Sequence, residues 1–310
     1  MDEFWDFVFG CGSVGCYDFG SHDRIRRMFF KSFFVFLFRV EEFGKVNKLW
    51  FIVFIMTQWH FWGEKKFADV YENIYIRTYR EDWFEIVKFI SKELEGYNRI
   101  IDIGCGEGHT TKQILDRVEG DYVCDLLEPD KAALVSGKSF LFLENNIGDC
   151  YVKTLDVFEP KKKYNAIYTI HTNYYWSFNE KGFDRHLDKL MGMLEEKGKL
   201  MILTLPEESD HYNIMIKSVY PKFNYSKYII DYYKKKGFDV RVKRFRMRMC
   251  VEDILSTKKF FELKSFYKFI HNTNIFPSDS EAKKFLEKIR KFEKNRNLDF
   301  KDDLIIIKKK

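Results

Sequence analysis

Between Arg99 and His109 the chain reads Arg-Ile-Ile-Asp-Ile-Gly-Cys-Gly-Glu-Gly-His, so Gly104, Gly106 and Gly108 follow a short apolar run that contains Asp102. Glycines in alternation let a backbone turn sharply and lie against a ligand where a Cβ would stand in the way. A dinucleotide fingerprint that starts at Gly104 needs its third glycine at the position of His109, and the spacing here excludes it. Beyond this loop, Glu128 closes the next apolar run. A carboxylate at that place can accept hydrogen bonds from both hydroxyls of a ribose. Loop and acid together point to a nucleoside ligand.

A second set of reactive groups lies further along. Tyr164 to Ile170 reads as a strand and runs into His171-Thr-Asn-Tyr-Tyr-Trp176. Imidazole titrates near neutrality, so His171 can accept a proton from a nitrogen or hydrogen-bond and orient it. Tyr174, Tyr175 and Trp176 beside it offer π faces to a cationic centre. The six cysteines form no CxxC pair and have no His/Cys spacing suited to zinc. They read as reduced thiols, and no metal is expected.

The elements that must position these groups alternate. Strands are expected at Arg99–Ile103, Tyr122–Glu128, Tyr151–Leu155, Asn165–Ile170, Lys199–Leu205, Asp239–Cys250 and Leu304–Ile307. Helices are expected at Thr110–Arg117, after Pro129, near Phe183–Leu194 and near Tyr225–Lys236, with further helical segments around Phe261–His271 and Glu281–Asn295. Two helices between Trp59 and Glu95 precede the first strand. Such alternation predicts an α/β fold: a seven-stranded, mostly parallel sheet with helices on both faces, its last strand antiparallel and a small helical cap before that strand.

Asp102-Ile-Gly-Cys-Gly-Glu-Gly108 followed by Leu127-Glu-Pro-Asp130 resembles the first two motifs of the class I, Rossmann-like methyltransferases. That resemblance implies S-adenosyl-L-methionine as cofactor, with Asp102, Gly104, Cys105, Gly106, Gly108, Glu128, Pro129 and Ile170 around it. It also implies an acid near the adenine amino group, for which Asp156 stands just past the third expected strand, and an acceptor site at His171. In layout the span from Trp59 onward is similar to the histamine N-methyltransferase group. That similarity rests on Phe61-Trp-Gly-Glu-Lys-Lys-Phe67 with the following Tyr71 to Glu81, on Tyr174-Tyr175, and on the late cap and final strand. It implies acceptor contacts from Glu81 or its neighbour Arg80, from His171, Tyr174 and Tyr175, and from Asp302 or Asp303. The chain has His171 where that group has an amide. The activity implied is methyl transfer to a small molecule, at an amine or ring nitrogen. An oxygen or carbon acceptor and a non-catalytic nucleoside-binding module remain as alternatives.

The bulk composition agrees with a globular protein. Of 310 residues, 45% are hydrophobic and 32% charged, and the net charge of +6 is the difference of 53 basic and 47 acidic residues. So small an excess does not argue for nucleic acid. The basic run Arg241-Val-Lys-Arg-Phe-Arg-Met-Arg-Met249 alternates as a half-buried strand requires. Residues 1–55 are rich in Phe, follow no period and read as an extension of the reading frame. The methyltransferase domain is expected at 56–310, starting with Met56, with cap elements at 59–95 and 251–298. Neither a secretory signal nor a stretch of about 20 apolar residues is apparent. These features predict a cytoplasmic enzyme, monomeric or homodimeric, whose partner is its small-molecule acceptor.

Overall fold

The computed structural model describes residues 80–135, 146–176, 180–216, 224–255, 263–264, 267 and 277–309. All of them belong to the compact unit Lys66–Lys310. The expectations for residues 1–55, for the first of the two early helices and for most of Phe261–His271 fall outside the described residues.

In chain order the elements are α1 (Arg80–Leu94), β1 (Arg99–Ile103), α2 (His109–Leu115), β2 (Val123–Leu127), β3 (Ile147–Tyr151), β4 (Tyr164–Ile170), α3 (Glu180–Met193), β5 (Leu194–Thr204), α4 (Tyr225–Lys235), β6 (Asp239–Cys250), α5 (Glu252–Leu255), α6 (Asp279–Phe292) and β7 (Asn297–Lys308). The strands form one sheet in the order β3-β2-β1-β4-β5-β7-β6. β1 to β5 pair in parallel. β7 runs antiparallel between β5 and β6.

Both faces of the sheet are covered, which is why β1, β4 and β5 read as nearly unbroken apolar runs. One face packs Ile86, Ile90 and Leu94 of α1, Ile114 of α2 and Phe285 and Ile289 of α6 against Ile100, Tyr168 and Met201. The other packs Phe183 and Leu187 of α3 and Ile229 and Tyr233 of α4 against Ile101, Ile167 and Ile305. Each fully buried aliphatic side chain contributes about 1.5–3 kcal/mol relative to its exposed state. α6 starts with a complete capping box, Ser278 and Glu281 each accepting from the other's backbone N–H.

The third strand departs from expectation. It occupies Ile147–Tyr151 rather than Tyr151–Leu155. As an edge strand it is only half-buried and carries Gly148 and Asp149, which weakens its strand signal. Leu155 is apolar and reads as strand, yet with Phe158 it anchors the following loop to the core. β7 is also longer than Leu304–Ile307, since its first half alternates between polar and apolar side chains.

Asp125 lies fully buried in β2. It accepts from the Tyr164 hydroxyl at 2.8 Å, the Asp149 N–H at 2.9 Å and the Lys162 ammonium at 2.9 and 3.1 Å. This ties β2 to β3 and β4. Tyr164→Phe removes one donor from a buried carboxylate and is expected to cost about 1–3 kcal/mol. Urea unfolding measures it, and an unchanged midpoint would show that Lys162 and the backbone suffice.

Candidate active site

The carboxyl ends of β1, β2 and β4 converge. After Ile103 the chain turns through Gly104, Gly106 and Gly108, with φ of 79°, 54° and 76°. These left-handed values favour glycine over any L side chain. The Gly104 N–H donates to Leu127 O at 2.7 Å. A Cβ at Gly104 would lie 2.2 Å from Thr172 Cγ2, whereas one at Gly106 would meet nothing within 4 Å. The first glycine therefore admits the β4 loop, and the second faces open space in which a ligand can lie against the backbone. Cys105 is half-buried between them, and burial pushes its thiol well up.

Glu128 joins the two loops. One carboxylate oxygen accepts from Gly106 N–H and the other from Asp130 N–H, both at 2.9 Å. Burial raises its pKa against the pull of those two donors. Pro129 beside it is exposed. Asp102 sits below the loop, 3% exposed, and accepts from the Thr111 hydroxyl of α2 at 2.6 Å. Burial pushes the Asp102 carboxyl up to about 7, with the Thr111 bond opposing it.

At the end of β4, after the half-buried Ile170, His171 has φ 55°, a strained value for a non-glycine residue. Its N–H donates to Leu203 O at 3.0 Å. Nδ1 lies 3.0 Å from the Tyr174 hydroxyl, which itself accepts from Leu205 N–H at 2.9 Å. Nε2 lies 3.3 Å from Asp302 Oδ2. Asp302 is fully buried, and neither of its oxygens has an aligned hydrogen bond, so this contact is an ion pair by distance only. His211, stacked on Phe300 with centroids 4.9 Å apart, lies behind His171. Burial, reinforced by His171, holds its ring down to about 3.

The structure thus brings together Asp102, the three glycines, Cys105 and Glu128 on one side and His171 with Tyr174 on the other. Tyr174 is buried, its ring edge-on to Tyr225 at 5.3 Å and stacked on His171 with centroids 6.0 Å apart at 28°, and its hydroxyl reaches His171 Nδ1. Trp176 is buried as well and stacks on His186. Asp156 lies five residues beyond the end of β3, its Oδ1 2.8 Å from His186 Nε2 on α3. Glu81 stands in the first turn of α1, but its side chain, like that of Tyr175, lies outside the described residues. Asp302 and Asp303 separate by strand alternation: Asp302 faces His171, while Asp303 accepts from Arg244 at 2.7 and 3.0 Å and from Ser226 at 2.6 Å. Thr172 and His211 had no signal in the sequence, because each gains its neighbour only through the crossing of loops. Among the described residues no group of three or more His, Cys, Asp or Glu is arranged to hold a metal ion.

Residues 75–245, over half of the chain, match the family model described as a methyltransferase domain. The chain belongs to that methyltransferase family. Its cofactor is S-adenosylmethionine, and the open glycine cradle with Glu128 across from it fits a nucleoside. No curated protein sequence matches this methyltransferase. Solved structures with a similar fold include YcgJ from Bacillus subtilis, at 15% identity and a TM-score of 0.50, covering 75% of this chain and 99% of that one. Others are the N-methyltransferase NodS from Bradyrhizobium japonicum WM9, at 9% identity, TM-score 0.47 and coverages of 74% and 96%, and the plantazolicin methyltransferase BpumL in complex with a desmethylPZN analog and SAH, at 14%, 0.48, 81% and 93%.

Two outcomes follow for this methyltransferase. Gly104→Ala sets a Cβ into Thr172 at a positive φ, so S-adenosylhomocysteine binding in calorimetry should fall by at least about tenfold, at about 1–3 kcal/mol of strain. Unimpaired binding would mean that the two loops can part freely. For Asp102, burial pushes the folded carboxyl up to about 7, against about 3.9 in the unfolded chain. The stability it contributes is full below the lower value and is lost as pH rises through the upper one. Asp102→Asn escapes that loss, so unfolding at about pH 4 and about pH 8 should show the variant gaining on the wild type as pH rises.

Proposed function

We propose that this methyltransferase acts on a nitrogen of a small-molecule amine or ring, at the His171 end of β4. The observation that carries the reading is the placement of His171 on strained backbone above the buried Asp302, one residue from the Thr172 that packs on the glycine loop. When bound, S-adenosylmethionine supplies a methyl already activated by its sulfonium. Glu128 would receive the ribose hydroxyls, using lone pairs left beside its two backbone donors. Cys105, Gly106 and Gly108 would pass along the cofactor backbone-first, Asp102 would hold the loop through α2, and Pro129 and Ile170 would flank it. Asp156 would reach the adenine amino group. Glu81, His171, Tyr174 and Tyr175 would set the acceptor.

Alignment of the acceptor lone pair and exclusion of water are the protein's main tasks. Transfer to a neutral nitrogen leaves positive charge on the acceptor, which then gives up a proton. The Asp302 carboxylate beneath His171 would favour the cation, and His171 would take up the proton at Nδ1 by way of the Tyr174 hydroxyl, which passes on its own proton as it receives the acceptor's. With the ring protonated, Nδ1 would donate to the Tyr174 oxygen and Nε2–H would face Asp302. We read residues 56–310 as the catalytic domain and 1–55 as an extension to it, in a cytoplasmic monomer or homodimer; among the described residues no helix is long and apolar enough to cross a membrane.

His171→Ala is expected to lower kcat by about 100-fold on the productive acceptor, with S-adenosylhomocysteine affinity kept. Glu128→Ala should weaken that ligand about 10- to 100-fold. A screen of amines, ring nitrogens, phenols and activated carbons decides the acceptor. Turnover confined to oxygen or carbon would refute the nitrogen reading, and ligand binding with no turnover on any class would favour a binding module.

A further inference from the structure

His186 lies on the buried side of α3, its side chain 3% exposed and its ring stacked on Trp176 with centroids 5.6 Å apart at 21°. Nδ1 is 2.8 Å from the Gly182 carbonyl oxygen. Nε2 is 2.8 Å from Asp156 Oδ1, close but off the N–H axis, so the contact is not a directed hydrogen bond. Carbonyl and carboxylate oxygens only accept. A neutral ring would press a nitrogen lone pair against an oxygen lone pair at one of these two contacts. Protonated at both nitrogens, the ring presents an N–H to the carbonyl and positive charge to the carboxylate.

The rest of the loop is held differently. Lys189, one turn further along α3, donates to the Asp156 carbonyl oxygen at 2.8 Å and lies 3.3 Å from Glu159. Lysine ammoniums keep their charge well above the range in which imidazoles lose theirs. The main chain of the loop is therefore fastened by a permanent cation and the Asp156 carboxylate by a titratable one. Asp156 and Glu159 from the loop and Lys189 from α3 are the charged groups facing this cluster; Trp176 contributes an uncharged ring.

We propose that His186, as an imidazolium, is the positioning residue for Asp156: it fixes the carboxylate through Oδ1 and leaves Oδ2 to receive the adenine amino group. Cofactor binding then requires the proton on His186. This rests on the reading that Asp156 reaches the adenine. Loss of the ring proton removes the attraction to the carboxylate, so the contribution is greater in acid than in base. The Asp156 side chain is 61% exposed, so solvent screening keeps the effect moderate.

The test is calorimetry with S-adenosylhomocysteine at about pH 6, 7 and 8.5 on the full chain, for wild type, His186→Gln, Asp156→Asn and Asp156→Ala. Wild type should weaken by about threefold to tenfold across the range. His186→Gln and Asp156→Asn should bind weakly at every pH and lose that part of the slope. Asp102 and Glu128 also titrate near the ligand, but they are present in every variant, so only the difference in slope counts. Asp156 is exposed, and its variants keep the test open if His186→Gln does not fold. A slope kept in Asp156→Asn overturns the proposal. Weak binding by Asp156→Ala with no slope in wild type overturns it while leaving the adenine reading intact, and wild-type affinity in Asp156→Ala overturns both.

Discussion

Two backbone N–H groups from different loops, those of Gly106 and Asp130, converge on the single carboxylate of Glu128. The loops after β1 and β2 are thereby set at a fixed separation. Because the carboxylate is largely desolvated, its two donors weigh more than they would in water. Everything else at this end of the sheet follows from that spacing. Gly104 is free to approach Thr172, and Thr172 brings His171 toward the glycine loop.

The insertion of β7 between β5 and β6 is the second determinant of the site. It delivers Asp302 and Asp303 together, and strand alternation sends them to opposite faces. Asp303 becomes part of a closed ion-pair and hydroxyl network with Arg244 and Ser226. Asp302 is left with His171 alone at 3.3 Å. One buried carboxylate is structural because its acceptor capacity is met. Its neighbour has no hydrogen bond to either carboxyl oxygen.

Much of this arrangement was legible in the sequence, and the parts that were not have physical causes. β1 and β6 end where the pattern places them, since one is a short apolar run between Arg99 and the first glycine and the other alternates throughout. Glu128 and the three glycines were visible because their chemistry is local to the end of one strand and the turn beyond another. β3 was displaced because the apolar Leu155, buried in a loop, imitates a strand residue, while the true strand carries Gly148 and Asp149. The choice between Asp302 and Asp303 depended on the phase of β7, which its alternating first half did not reveal when only Leu304–Ile307 read as strand. His186 reads as one more residue on the inner face of an amphipathic helix; nothing in the sequence joins it to Asp156.

β6 is the edge strand of the sheet among the described residues, and its exposed basic side chains are Arg241, Lys243, Arg244, Arg246 and Arg248. Arg241, Arg244, Arg246 and Arg248 reach Glu93, Asp303, Asp299 and Asp82, and the Arg248 N–H is itself taken by Asp82 of α1. An exposed strand edge is a template on which another strand can add. Here Asp82 of α1 has claimed one of the N–H groups an incoming strand would use. With each of these guanidiniums already paired to a carboxylate, the basic strand is fastened to α1 and to its neighbour β7.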